Sequence, residues 1–381
     1  MPLSTFGVLL VSFSKHSHQR SFVPLYQRHP RIRIVAVADA TDIDPELEYL
    51  NRQWARQLEV PYISGIGRAL ALAEVDIVSM GHEIERRAEL ILRAAAAGKH
   101  LWIDKFMGAN LAECDAVVSG VESAGVRAIV PSFTYGELAR QSRALIASGS
   151  LGEILGVHVD MMFSKGWPRP IDDGTRNATL LPSGRWKFPD LKRELLTIGS
   201  YAIGLVQVCL NPIRHVWGRA GSFFFPEHAN RGAEDFGTLT LTDERGCLAT
   251  LCGGRIGVAT HPFGGPARAH LVGTEGTAVV DAKRPALDTF LRSAIVAADY
   301  LPSREDPMQW ASGPPPLGIP LASDPVGLWT GLEDLIAAID EERSPAYSVR
   351  QARDLMEILQ AGYESILQRE AVQLPLEREA G

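Results

Sequence analysis

The stretch FGVLLVSFSKHSHQR, residues 6–20, decides how the chain is read. Phe6 to Val11 is a short run rich in branched apolar side chains. It is too short for a helix and is followed at once by small polar residues, so it reads as a buried strand. Ser12, Ser14 and Ser17 then fall at the spacing S-x-S-x-x-S, ahead of a stretch long enough for one crossover helix. Strand, tight turn of small residues and helix open a parallel α/β sheet. In such a sheet the first turn lets backbone approach a pyrophosphate, and the helix start offers free N–H groups.

Working outward, the pattern repeats. RIRIVAVAD (31–39), VDIVSM (75–80), HLWID (100–104) and RAIVPSF (127–133) read as further strands, with helices over 85–98 and 111–125 between them. Strand–helix alternation of this kind predicts a doubly wound parallel sheet with right-handed crossovers. After residue 133 the rhythm changes. A helix over 136–148 leads to a long strand at 153–163, and an apolar helix covers 195–210. HVWGRAGSFFF, DFGTLTLTD, GCLATLCGGR and ARAHLVGTEGTAVVD follow as strands joined by turn residues, and helices over 328–342 and 349–368 close the chain. This predicts an α/β protein: a Rossmann-type dinucleotide-binding domain over 1–133, then an α+β domain over 134–381 built on an open, mostly antiparallel sheet.

Bulk properties agree. The chain has 381 residues, enough for two cores, with 46% hydrophobic and 22% charged residues. No 18-residue apolar window exists, so no transmembrane helix is expected, and the first apolar run lacks the basic flank and cleavage site of a signal peptide. A net charge of −7 with no basic block argues against nucleic acid. The four cysteines are scattered, as in a reduced cytoplasmic protein, and no His/Cys/Asp/Glu spacing matches a metal site.

Several residues carry candidate chemistry. Ser12, Ser14, Lys15, His16 and Ser17 form the phosphate turn, although serine takes positive φ less cheaply than glycine, and a plain helix cap is an equal reading. Asp39 ends the second strand, where a carboxylate accepts the adenosine ribose hydroxyls and repels a 2′-phosphate. No Arg or Lys follows it closely, so NAD is expected and NADP disfavoured. Asp104-Lys105 lies just past a buried strand, at the ligand crevice of such sheets. Thr197 and Tyr201 stand four apart, so both hydroxyls leave one helix face, and a tyrosine can donate a proton to a developing alkoxide. The long polar loop at 164–193 carries Trp167, Arg169, Arg185 and Trp186, aromatic faces and donors suited to a polar ring.

The landmarks also resemble a known family. GKHLWIDKF (98–106), ALIASGSLGEILGVHVD (144–160), TIGSYAIGLVQVCL (197–210), HLVGTEGTAVVD (270–281) and the closing helices (335–366) are similar, in order, to Gfo/Idh/MocA oxidoreductases. The resemblance implies that Lys105 is the active-site lysine and that Tyr201 stands at the usual catalytic histidine, as in the glucose–fructose oxidoreductase and dihydrodiol dehydrogenase branches. It counts His82, Asp104 and Lys105 among the cofactor-binding residues, and it implies a homo-oligomer, a dimer or tetramer. The chain departs from the family pattern at all three glycines of the phosphate turn, at Asp104 for Glu, at Phe106 for Pro, at His82-Glu83 for Thr-Pro, and at Thr197 for Asp. The expected function is hydride transfer between NAD(P) and a hydroxyl or ketone of a sugar, polyol or related ring. The alternatives are a sugar-responsive regulator without turnover, or a non-redox lyase or hydrolase with tightly held NAD.

Overall fold

The structure, a computed structural model, describes residues 4–14, 17–131, 133–163, 169–176, 192–256, 266–282, 286–291, 319–320 and 327–377. The chain divides into two compact units, residues 1–135 with 327–356, and residues 136–326 with 357–381.

The first unit runs β1 (Phe6–Val11), α1 (Gln19–Arg28), β2 (Ile32–Asp39), α2 (Pro45–Gln57), β3 (Tyr62–Ser64), α3 (Ile66–Leu70), β4 (Ile77–Met80), α4 (Ile84–Ala96), β5 (His100–Ile103), α5 (Leu111–Ala124) and β6 (Ala128–Ile129). The six strands are parallel, in the order β3-β2-β1-β4-β5-β6, the Rossmann order with its switch point between β1 and β4. Central strands buried on both faces explain the unbroken apolar runs: Val8, Leu9, Leu10, Ile77, Val78, Leu101, Trp102 and Ile103 are all fully buried. Phe22 and Tyr26 of α1 set their rings edge-on to Trp102, which fastens that helix to the sheet. Local signals set the helix ends. Asp44 caps α2 through Glu46 N–H with Pro45 in the first turn, and Asn110 caps α5, which Gly125 ends at φ +67°.

The second unit contains α6 (Glu137–Ser148), β7 (Ile154–Phe163), α7 (Asp173–Arg176), a π turn (Leu195–Gly199) running into α8 (Ser200–Cys209), β8 (Ile213–Gly221), α9 (Pro226–Asn230), β9 (Phe236–Asp243), β10 (Leu248–Arg255), β11 (Ala267–Gly273), β12 (Gly276–Asp281), β13 (Ala286–Leu291) and β14 (Ile319–Pro320). The chain closes with α10 (Leu328–Asp340), α11 (Val349–Gln368) and β15 (Val372–Gln373). The sheet order is β14-β13-β12-β11-β7-β10-β9-β8-β15. All its pairs are antiparallel except β7 with β10. The architecture is therefore the expected one, a parallel α/β unit and a mostly antiparallel sheet unit.

Three details differ from the sequence reading. It passes over α2, β3 and α3, because β3 is only three residues long and carries no periodicity. It extends the β8 strand through Ser222–Phe225, but the backbone turns there: Asp235 accepts the N–H groups of Phe223, Phe224 and Phe225. It also assigns residues 327–356 to the second domain, whereas they pack in the first unit. Arg31 there grips Asp340 with two bonds, Tyr135 donates to Asp334, and Leu332, Leu335 and Ile336 are buried.

Candidate active site

Each unit carries its own candidate groups. In the first, they gather at the carboxyl ends of β1, β2, β4 and β5. Ser12 adopts φ +63°, the left-handed conformation that the first glycine of a phosphate turn supplies, and its N–H bonds Ala38 O at 3.2 Å. Ser12 therefore takes this conformation without being glycine. The Ser12 and Ser14 hydroxyls are both buried and find no partner among the described residues. Buried hydroxyls are nearly always satisfied. Two orphans in a phosphate turn fit a pyrophosphate, so these residues suit the phosphates of a dinucleotide. Ser17 has a structural task instead, accepting the Gln19 N–H at the start of α1 at 2.9 Å. Lys15 and His16 lie outside the described residues.

Phe13, between the serines, stacks on Trp54 with ring centroids 4.7 Å apart, and its N–H donates to Asn51 Oδ1 at 2.7 Å. The Asn51 amide donates in turn to Asp39 Oδ2 at 2.9 Å. Asp39 is engaged on several sides. Its carboxylate is fully buried, and Oδ1 already accepts from Ala40 N–H and from Arg86 Nη1, each at 2.8 Å. Burial alone pulls the Arg86 guanidinium down, but its bonds to Asp39 and Glu83 outweigh that and hold it above its ordinary value. The carboxylate expected to accept the ribose hydroxyls and repel a 2′-phosphate is thus paired with a cation from α4, 47 residues further along.

His82, just past β4, is buried, and neither ring nitrogen has a partner among the described residues. Burial first, then the Arg87 and Arg86 charges, hold it well below the ordinary histidine range, so the ring is neutral. Arg87 ties this corner together, donating to the carbonyl oxygens of His82, Asp104 and Phe106. Asp104 is buried with both oxygens 3.0 Å from His18 Nδ1. Burial pushes its carboxyl up, but His18, Arg87 and Lys105 pull it further down, so it stays ionised. Lys105 follows directly, half-buried, with its ammonium 5.5 Å from the Phe106 ring centroid.

In the second unit the candidate groups sit on the π turn and α8. From Leu195 to Val206 every residue is buried except Thr197 and Tyr201, so the two hydroxyl residues do share the accessible face. Thr197 donates its hydroxyl to Arg193 O at 2.6 Å, which leaves its oxygen as an acceptor only. The Tyr201 ring lies 6.1 Å from that of Phe163, at the end of β7. A buried polar network anchors the start of this segment. Glu234 accepts from Leu195 N–H, Tyr363 accepts from Leu196 N–H and donates to Glu234, and the buried Arg193 stacks over the Tyr363 ring at 4.9 Å. Glu194 pairs with Arg255 at 2.8 Å. Trp167, Arg185 and Trp186 lie outside the described residues. Among the described residues no group of three His, Cys, Asp or Glu side chains could hold a metal, and no helix is long and apolar enough to cross a membrane.

Sequence reasoning missed His18, Asn51, Arg86, Arg87 and Glu234. Each acts on a residue outside its own element, and only for Arg86, Arg87 and Glu234 could a charged residue within a largely apolar stretch have served as a flag.

The first unit thus has the Rossmann strand order with a left-handed Ser12 in its first turn, and the second is a mostly antiparallel sheet unit with Tyr201 partly exposed on an otherwise buried helix. Residues 139–279 match the GFO/IDH/MocA C-terminal domain. The chain is 24% identical over 268 residues to the uncharacterized oxidoreductase YrbE of Bacillus subtilis (strain 168), covering 68% of this chain and 69% of that one. Among solved structures it resembles an aldose–aldose oxidoreductase from Caulobacter crescentus complexed with glycerol (18% identity, TM-score 0.70, 97% and 100% of the two chains). It is similarly close to a levoglucosan dehydrogenase in complex with NADH and levoglucosan (17% identity, TM-score 0.70, 98% and 100%).

Proposed function

We propose that the protein is an enzyme that transfers hydride between a nicotinamide dinucleotide and a hydroxyl or ketone of a sugar, polyol or related ring. The observation that carries this reading is the phosphate turn: left-handed φ retained at Ser12, with two buried hydroxyls left for an acceptor to satisfy. The substrate class is supported by the solved relatives named above. When bound, the nicotinamide supplies or accepts the hydride.

The protein's own side chains do the rest. Ser12 and Ser14 hold the phosphates. Tyr201, half-exposed on an otherwise buried helix, moves the proton of the substrate hydroxyl. Thr197 accepts a hydrogen bond from a neighbouring substrate hydroxyl. Lys105 holds the positive charge that favours a developing alkoxide. His82, neutral, would line the dinucleotide site without adding charge. Self-association belongs to the same reading, through the sheet face on which Trp217 and Leu248 are exposed.

The test is to mix purified protein with NAD or NADP and a panel of polyols and aldoses, and to follow absorbance in the reduced-nicotinamide band. Turnover on at least one polyhydroxylated ring supports the reading. No nucleotide binding and no turnover across the panel would overturn it in favour of a regulator that has left catalysis.

A further inference from the structure

We propose that Arg86 sets nucleotide selectivity in the first unit, making the ribose end of the site accept a 2′-phosphate that Asp39 alone would repel. This rests on the nicotinamide dinucleotide reading above. A carboxylate at the end of β2 selects an unphosphorylated ribose in two ways: it accepts hydrogen bonds from the 2′- and 3′-hydroxyls, and its charge opposes a phosphate.

Both means are reduced here. A carboxylate has about four acceptor positions. Three are filled by Ala40 N–H, Arg86 Nη1 and Asn51 Nδ2, so a pair of ribose hydroxyls cannot both be received. The charge is met at 2.8 Å by a guanidinium, and the geometry decides which member of that pair a ligand encounters. The Asp39 side chain is 0% exposed and that of Arg86 is 31% exposed. An incoming nucleotide therefore meets the cation.

The remaining edge of the Arg86 fork, Nε and Nη2, is held by one oxygen of Glu83 at 3.3 and 2.8 Å. Glu83 is itself partly exposed and makes no side-chain cap bond at the start of α4. That edge is the planar pair of donors that phosphate takes in bidentate fashion, and a dianion is a stronger partner than one carboxylate oxygen. A second guanidinium stands on the same sheet edge. Arg68 donates to Ser64 O, and Ser64 is the β3 register partner of Asp39. Two arginines thus balance Asp39 and Glu83 where a lone Asp39 would leave a net negative site.

Isothermal titration of the full chain with NAD and NADP, and with ADP and adenosine 2′,5′-bisphosphate as the matching fragments, tests this without reference to turnover. NADP is expected to bind at least as tightly as NAD, and the bisphosphate more tightly than ADP. Arg86→Met should weaken NADP by about 10- to 100-fold, the range for a lost hydrogen bond to a charged group, while NAD binding holds or tightens. Glu83→Gln, a surface change that leaves the Asp39–Arg86 pair intact, should tighten NADP by a few-fold and keeps the test open if Arg86→Met fails to fold. NAD binding at least tenfold tighter than NADP, with the ratio unmoved by Glu83→Gln, overturns the proposal alone. Binding of neither nucleotide overturns it together with the functional reading.

Discussion

Gly253 of β10 and Gly199 at the end of the π turn meet backbone to backbone: a Cβ on Gly253 would lie 2.6 Å from Gly199 Cα and 2.9 Å from its nitrogen. Both atoms are main chain, so no rotamer change relieves the overlap. The absence of both side chains lets the segment bearing Thr197 and Tyr201 lie directly on the sheet. Gly253→Ala is expected to cost about 1–3 kcal/mol, the range for overpacking a core, and to shift Tyr201 outward. Urea unfolding measures the first effect and kcat the second. An unchanged midpoint and unchanged kcat would mean that the contact carries no strain.

Tyr201→Phe removes one hydroxyl and almost no volume from a half-exposed position, so folding and nucleotide affinity should persist. Turnover on whichever ring the panel identifies should drop by about 10²–10⁴, the usual worth of a positioned acid–base group. Stopped-flow or steady-state absorbance reads this directly. A variant within a factor of three of the parent removes the tyrosine from the reaction.

Arg87→Met addresses the corner that presents Lys105. Arg87 is buried and its guanidinium joins three carbonyl oxygens, His82 O, Asp104 O and Phe106 O, while lying 3.8 Å from the Asp104 carboxylate. Methionine fills the volume but leaves those oxygens and a buried anion with fewer partners. A loss of about 3 kcal/mol is expected, within the range for breaking a buried charged group away from its partners. Amide exchange at 104–108 should also rise, which a purely global destabilisation would not confine to that loop.

How much of this was legible in the sequence follows from the range of each interaction. The β1, β4 and β5 strands announce themselves because each is a short, almost wholly buried apolar run, and β2 because its second half is; that signal is local. The shared face of Thr197 and Tyr201 was legible for the same reason, as spacing along one helix. The state of Asp39 was not: its partner Arg86 comes from helix α4, 47 residues beyond it, outside any local pattern around Asp39. The anchor of the π turn was hidden likewise, since Glu234 and Tyr363 reach Leu195 and Leu196 from segments that share no local pattern with them. The serines of the phosphate turn were ambiguous because sequence does not reveal φ. Ser12 takes the left-handed conformation that a glycine would adopt more cheaply.

The last prediction concerns acid stability and uses two buried glutamates of opposite behaviour. Burial pushes Glu194 up, but His228 and Arg255 pull it further down, so it lies below its ordinary value of 4.5. Its folded-state pKa is thus lower than its unfolded one, and the unfolded chain binds protons more readily. The stability it contributes is fully present above about pH 4.5 and is lost as pH falls through the depressed folded value. Glu234 runs the other way. Burial raises it, and neither Arg193 nor the Tyr363 bond restores it, so the folded protein holds that proton more readily than the unfolded chain; acidification favours the fold as pH falls through the raised folded value, and that gain is complete below about pH 4.5. Glu194→Gln keeps the shape and removes the charge, at a cost of about 2 kcal/mol at pH 7, because Arg255 is left without its anion. The Tm gap between parent and Glu194→Gln should hold from pH 7 to about 5.5, narrow below about 4.5 and close in stronger acid. The gap for Glu234→Gln should show no such narrowing. Melting curves from pH 7 to pH 3 decide the matter: a Glu194→Gln gap that stays constant into acid would mean that the ion pair with Arg255 contributes nothing to holding the segment ahead of Tyr201.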